Sequence, residues 1–264
     1  MPYFLSAAKL QTYYRCPQAY YFRYERKMPG TAFYGSAALG TALHQALAQM
    51  YRDWHYQDAT PPLEWIESCW NQQVTALSQN QIVEGRSILR RYYYSFIANQ
   101  SAMRRPLAVE GRVQGSLKVE NLEFVLSGRY DRLDYLEDGL ELIDYKSAKD
   151  VTNYEDDEVD LQIGLYYLAL EQRYALSLKQ MSLLYLRTGD KVTFEATPFH
   201  RQRVKTVISE LAVQLRRDRN WQPFPGNQCD RCAYARYCPA VNAHPDPIPE
   251  FAQPEPQLQL VLSL

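Results

Sequence analysis

Asp144 and Lys146 stand two residues apart where a greasy run ends, in the stretch LELIDYKSAK at 140–149. Leu140, Leu142 and Ile143 read as the buried part of a strand, so a carboxylate and an ammonium arriving together need a reason. With Asp138 and Gly139 at the centre of a two-residue hairpin turn, Glu137 pairs with Leu140, Leu133 with Asp144 and Asp131 with Lys146. Side chains alternate between the faces of a strand, which puts Asp131, Asp144 and Lys146 on one face. Two readings fit this hairpin taken alone. The first is an ion pair, although a buried pair rarely gains stability over a hydrophobic substitute. The second is a metal site: two carboxylates exceed one lysine by a negative charge, and hard oxygen ligands suit Mg²⁺ or Mn²⁺.

The chain around this hairpin begins with a largely helical third. Ser6 can cap a helix that opens AAKLQTYYR, and Pro17 can start a second through QAYYFRYER. Apolar spacing predicts helices from about 36 to 54 and from about 84 to 99, with LEWIESCWNQQVTAL introduced between them by Pro61 and Pro62. Near Pro106 the period becomes two. LAVEGRVQGSLKV, LEFVLSGRYDRLDYL and LELIDYK read as strands, with turns at Glu120–Asn121 and Asp138–Gly139. An acidic loop, NYEDDEVD, leads to a helix from about 161 to 174. MSLLYLR and KVTFEA are joined by a hairpin at Thr188–Gly189–Asp190, and a helix follows from about 201 to 217. The prolines of HPDPIPEFAQPEP predict an extended tail.

His44 lies four residues after Gly40, on one helical face where the glycine would let a neighbour approach closely. Gln162 and Tyr166 also share a face, and by itself Tyr166 reads as core. In order along the chain, GTALH at 40–44, GRYDRLD at 128–134, LIDYK at 142–146 and QIGLY at 162–166 resemble the RecB-type branch of the PD-(D/E)XK nuclease superfamily. That branch includes a CRISPR-associated exonuclease, and the likeness runs from about residue 6 to 239. Tyr130 stands where the family has the proline of its PD pair, which leaves the Asp131 carboxylate in place.

The resemblance implies an α/β, restriction-endonuclease-like fold, a mixed β-sheet core flanked by helices. Its parts would be a helical N-terminal region (about 1–105), a catalytic core (about 106–220) and a Cys-rich segment (about 221–240) within one nuclease domain, followed by a tail (241–264). It implies that Asp131, Asp144 and His44 hold Mg²⁺ or Mn²⁺ with the Tyr145 carbonyl, and that Lys146 is the catalytic lysine. Gln162 and Tyr166 would support the site and approach nucleic acid, and Glu110 would add an acid from the preceding strand. The implied activity is metal-dependent hydrolysis of DNA phosphodiester bonds, on single strands or ends, in repair or recombination. A catalytically silent nucleic-acid-binding module is the alternative, although such a module has no need of the intact Asp131, Asp144 and Lys146.

CDRCAYARYCP places Cys229, Cys232 and Cys238 close together, and Cys16 precedes a proline near the other end. Three clustered thiols need a fourth for tetrahedral closure, and Cys16 is the candidate. Zinc and an iron–sulfur cluster both satisfy that pattern; the resemblance favours a [4Fe–4S] cluster. Cys69, beside Trp70 in a helix, reads as an ordinary buried thiol. Arg15, Arg23 and Arg26, interleaved with Tyr13, Tyr14, Tyr20, Tyr21 and Tyr24, fit either a single-strand path or a packed helix pair.

A chain of 264 residues with net charge −1 is long enough for a sizeable core and is no basic tail. No apolar stretch is long enough to span a bilayer. The N-terminus has no signal-peptide pattern, so a cytoplasmic setting with reduced thiols is expected. No phosphate-binding loop motif occurs, so any helicase motor would be a separate partner.

Overall fold

A computed structural model describes residues 2–29, 34–147, 160–174 and 178–249. Most of the acidic loop and the end of the Pro-rich tail lie outside these. By contact the chain divides into two units: the described residues of 1–11 and 33–217 form one, those of 12–32 and 218–264 the other.

The larger unit is built on a mixed sheet of β1 (Tyr3–Ser6), β2 (Ala108–Val119), β3 (Leu122–Tyr135), β4 (Leu140–Lys146), β5 (Leu178–Tyr185) and β6 (Asp190–Glu195), running β1-β3-β4-β5-β6 with β2 also on β3. β1 is a strand that propensity did not suggest, because only its parallel pairing with Phe124–Ser127 makes it one. The β2–β3 hairpin turns at Glu120 and Asn121 as expected, with Glu120 at φ 53°. β5 and β6 close at Gly189, whose φ of 82° a side chain would resist.

The β3–β4 hairpin corrects the expected register. Tyr135 pairs with Leu140, and Arg132 with Ile143, so the connection is four residues long and the pairing is displaced by two. A two-residue turn of the expected type needs φ > 0 at both central positions, and neither Asp138 nor Gly139 adopts it. Leu136 N–H instead donates to Gly139 O at 2.8 Å. A shift of two preserves the face of every side chain. Extended by one residue, the register sets Asp131 across from Asp144 rather than Lys146.

Helices α3 (Tyr34–Asp53), α4 (Leu63–Asn71) and α5 (Gln79–Phe96) share a core with Ile143, Tyr145 and Leu184 of the sheet and with Leu186 just past β5. Cys69 is fully buried there, as its reading as a plain thiol requires. α5 begins earlier than apolar spacing suggests because Ser78 and Gln81 form a reciprocal capping box. α6 (Leu161–Tyr174) crosses over between the parallel strands β4 and β5. A Cβ on Gly115 would lie 2.9 Å from Ala169 Cα, so the glycine permits this helix to sit directly on β2. α7 (Pro198–Arg217) packs beside α6.

The smaller unit holds the C-terminal end of α1 (Ala7–Arg15), α2 (Pro17–Tyr20) with a wide turn continuing to Glu25, and two short 3₁₀ turns at Asn227–Arg231 and Ala235–Tyr237. Tyr13 and Tyr20 are buried, and Trp221 stacks on Tyr20 and Tyr21 at 5.6 and 5.9 Å. Those tyrosines therefore pack inward, while Tyr14, Arg15 and Arg23 face solvent.

Candidate active site

The side chains singled out above meet at the C-terminal end of β4, beside the interior of β3. α3 delivers His44 because Gly40, one turn earlier, lets the helix approach the end of β4: a Cβ there would lie 3.1 Å from Ser147 Oγ. His44 Nδ1 then lies 3.0 Å from Asp131 Oδ1. The other oxygen of Asp131 accepts the Tyr145 backbone N–H at 2.6 Å, which fixes the carboxylate against the neighbouring strand.

Glu110 faces Asp131 across the β2–β3 ladder, yet that pair is the gap in an otherwise continuous register. Its backbone is left-handed, with φ 54°. A non-glycine residue there carries strain of the kind that collects at functional sites. The distortion turns its carboxylate toward the others, and one ligand atom each from His44, Glu110 and Asp131 lie within 4.8 Å of one another. Among the described residues these are the donors that converge as a metal would require.

Asp144 and Lys146 form a second group beside the first. Their charged atoms lie 3.0 Å apart, with Asp144 almost fully buried. Gln162 bridges them: its Oε1 accepts from Lys146 Nζ at 3.2 Å and its Nε2 donates to Asp144 Oδ1 at 2.6 Å. Tyr166, one turn along α6, packs over Gly128, where a Cβ would come within 2.3 Å of the ring. Asp160 escaped sequence reasoning, hidden in an acidic run. Its Oδ1 caps α6 by accepting from the Gln162 and Ile163 backbones, while its Oδ2 lies 3.6 Å from Lys146 Nζ. An aspartate just before an apolar helical run was the available signal.

Electrostatics follow from this crowding. The Asp144 carboxyl is raised to about 6: burial pushes it up most, Lys146 pulls it back, and Asp131 pushes it up again. Burial pulls the His44 ring down, but its hydrogen bond to Asp131 and the charges of Asp131, Asp144 and Glu110 outweigh this and raise it. Lys146 behaves likewise: burial lowers it, and Asp144 with Asp160 raise it more, so it remains an ammonium. Glu110 is raised by burial and Asp131, against Arg129, His44 and Arg52. Acids raised by burial and by one another form a pocket of unspent negative charge, which a divalent cation fits.

Arg132, next to Asp131, points into the helical core. Its Nη1 donates to the hydroxyls of Tyr92 and Tyr145 at 2.8 and 2.9 Å, and its guanidinium lies 4.1 Å from the Tyr51 ring centre. This buried cation ties the two strands to α3 and α5.

In the smaller unit, Cys16, Cys229, Cys232 and Cys238 line one cavity of about 220 Å³. All four are free thiols. The Phe224 and Gly226 backbone N–H groups donate to Cys16 Sγ and Cys229 Sγ, both at 3.4 Å. Burial, then proximity to the other three sulfurs, pushes the Cys232 thiol up, although the Tyr234 backbone opposes this.

A sequence profile of the PD-(D/E)XK nuclease superfamily matches residues 4–239. No curated protein matches the chain. Among solved structures, a Eubacterium rectale protein provisionally assigned as an exonuclease is similar in fold, with 11% identity, TM-score 0.50, and 88% of each chain covered. The protein SSO0001 matches at 14% identity and TM-score 0.45, over 90% of this chain and 87% of that one. The profile spans nearly the whole sequence, including every motif that builds the site: the chain belongs to the PD-(D/E)XK nuclease superfamily, whose members hydrolyse phosphodiester bonds with divalent metals.

Proposed function

We propose that this nuclease cuts DNA with Mg²⁺ or Mn²⁺ held by His44, Glu110 and Asp131, with Asp144 and the Tyr145 carbonyl completing the set. The convergence of imidazole and carboxylates within 4.8 Å, beside the Asp144–Lys146 pair, carries this reading. The chemistry such an ion supplies is polarisation of the scissile phosphate and a nucleophilic water at neutral pH. His44 Nδ1 is engaged by Asp131, which leaves Nε2 as the ring's other donor atom. Lys146, kept cationic, orients the attacking water and offsets charge that builds on the phosphate oxygens. Gln162 holds Lys146 and Asp144 in mutual register, and Tyr166 braces it from the same helical face.

DNA as the polymer, a preference for single strands or free ends, and a role in repair or recombination rest on the likeness of the motifs to the RecB-type branch. So do a separate helicase partner and a cytoplasmic setting. Cys16, Cys229, Cys232 and Cys238 would hold a [4Fe–4S] cluster, with zinc as the alternative. The four sulfurs lining one cavity and the two backbone donors to sulfur support a thiolate-bound metal group there.

The wild type should degrade labelled single-stranded DNA with Mg²⁺ or Mn²⁺ and stop with EDTA. Asp144→Ala and Lys146→Ala should each abolish cutting while DNA binding persists. Undiminished cleavage by both pure variants would end the assignment. Protein purified without air should be brown with iron and sulfide near four each; colourless protein carrying zinc would replace the cluster.

A further inference from the structure

Next to the metal-binding group lies a second, polar cavity of about 320 Å³, lined by Gln45, Gln49, Arg52, Gln73, Glu110 and Arg129 among others. Gln45, Gln49 and Arg52 follow one another at four- and three-residue steps, forming one stripe of α3 just past His44. Buried Ala48 keeps the floor between them low. Gln49 is pinned by both neighbours of its amide: its Nε2 donates to Gln72 and its Oε1 accepts from Gln73, at 2.8 and 2.9 Å. The opposite wall is Arg129, whose Nε lies 2.7 Å from Glu110 Oε2 while its side chain is 66% exposed.

Glu110 is the link. The same carboxylate belongs to the metal-binding group and to this wall, so whatever occupies the cavity sits one residue from the reacting centre. Asp53 also lines it, and with Glu110 matches the charges of Arg52 and Arg129. Engaging Glu110 with a cation removes one of those two acids from the balance and leaves the guanidinium groups in excess. A planar guanidinium fork matches the oxygens of a phosphate, and a carboxamide N–H can donate to them as well.

We propose that this cavity seats a phosphate of the substrate strand adjacent to the scissile one, with Arg52 and Arg129 as its cationic partners and Gln45 as a neutral donor. The assignment rests on the nuclease reading above and adds to it a direction for the strand: across α3 toward Arg52. The phosphate is either an internal diester or a terminal monoester.

The test is the salt dependence of binding for the full-length protein and fluorescent single-stranded oligonucleotides carrying a 5′-phosphate, carrying a 5′-hydroxyl, or closed into a circle. Each phosphate contact contributes about 0.7 to the slope of log K against log salt for single strands. Arg52→Gln should make the slope shallower by about that amount, and Arg52→Lys should restore most of it. Loss on all three forms identifies an internal diester; loss confined to the 5′-phosphorylated form identifies a terminal monoester. An unchanged slope for Arg52→Gln on all three, with an unchanged melting temperature showing the variant is folded, overturns the proposal. Because binding is read without cleavage, a wild type that binds but never cuts would sink the nuclease reading and leave this result standing on its own.

Discussion

Asp144 carries most of the tension in the site. A buried acid raised to about 6 holds its proton better in the folded chain than in the unfolded one. The stability it contributes to metal-free protein is therefore greatest at low pH and is lost as pH rises through about 6. Asp144→Asn should consequently melt higher than wild type at pH 7.5 without metal, by on the order of 1–3 kcal/mol, and lose that advantage progressively as pH falls through about 6 toward the ordinary aspartate value of about 4. Equal melting at both pH values would show that the carboxylate is comfortable in its pocket. Cation uptake needs the ionised form, so the thermal shift caused by Mg²⁺ in wild type should shrink as pH falls through about 6. Asp160 has two separable jobs. Asp160→Ala should cost about 1 kcal/mol through the lost cap, whereas Asp160→Asn keeps the cap and removes only the charge beside Lys146. Matching losses from both substitutions in denaturant titration would contradict that division.

β2 is locally distorted where it serves the site. Glu110 lies in a left-handed conformation that costs on the order of 1–3 kcal/mol for a residue with a side chain. Glu110→Gly removes both this strain and a buried carboxylate, at the expense of the Arg129 ion pair. Metal-free Glu110→Gly should be at least as stable as wild type while losing divalent-cation binding by calorimetry. A stability loss above about 1 kcal/mol would mean the strand is held by its carboxylate and not strained by it. Helix α6 meets the sheet through glycine. Gly128→Ala would drive a methyl into the Tyr166 ring, an overpacking worth about 1–3 kcal/mol, or a melting point lower by roughly 2–10 °C. No change in melting would show that Tyr166 swings aside freely and does not brace Gln162.

For the molecule as a whole, the two units divide labour. Among the described residues Asp144, Asp160 and Gln162, which surround Lys146, belong to the larger one, and the four-cysteine cavity belongs to the smaller. In the smaller unit the described chain has few regular elements, so binding of the group proposed at the sulfurs would be folding energy for both segments. Cys232→Ser should expose 12–29 and 218–249 to limited proteolysis before 34–147 is cut. Cleavage beginning within 34–147 would place the weak point elsewhere.

The sequence by itself determined most of the elements and which candidate side chains share a face. β4 at 140–146 and α6 at 161–174 were legible to the residue, because a short apolar run closed by charges and a longer apolar run after an acidic loop are local properties. The face shared by Asp131, Asp144 and Lys146 was legible too, since alternation survives a register error of two. What the tertiary structure alone decided is which carboxylate stands beside which. Asp131 opposite Asp144 depends on a four-residue turn, and Glu110 joins His44 and Asp131 only through a left-handed kink. The strand β1, the cap at Asp160 and the Arg52–Arg129 cavity likewise exist only once distant segments meet. Backbone pairing and side-chain convergence are set by packing across the sheet, which no local period encodes.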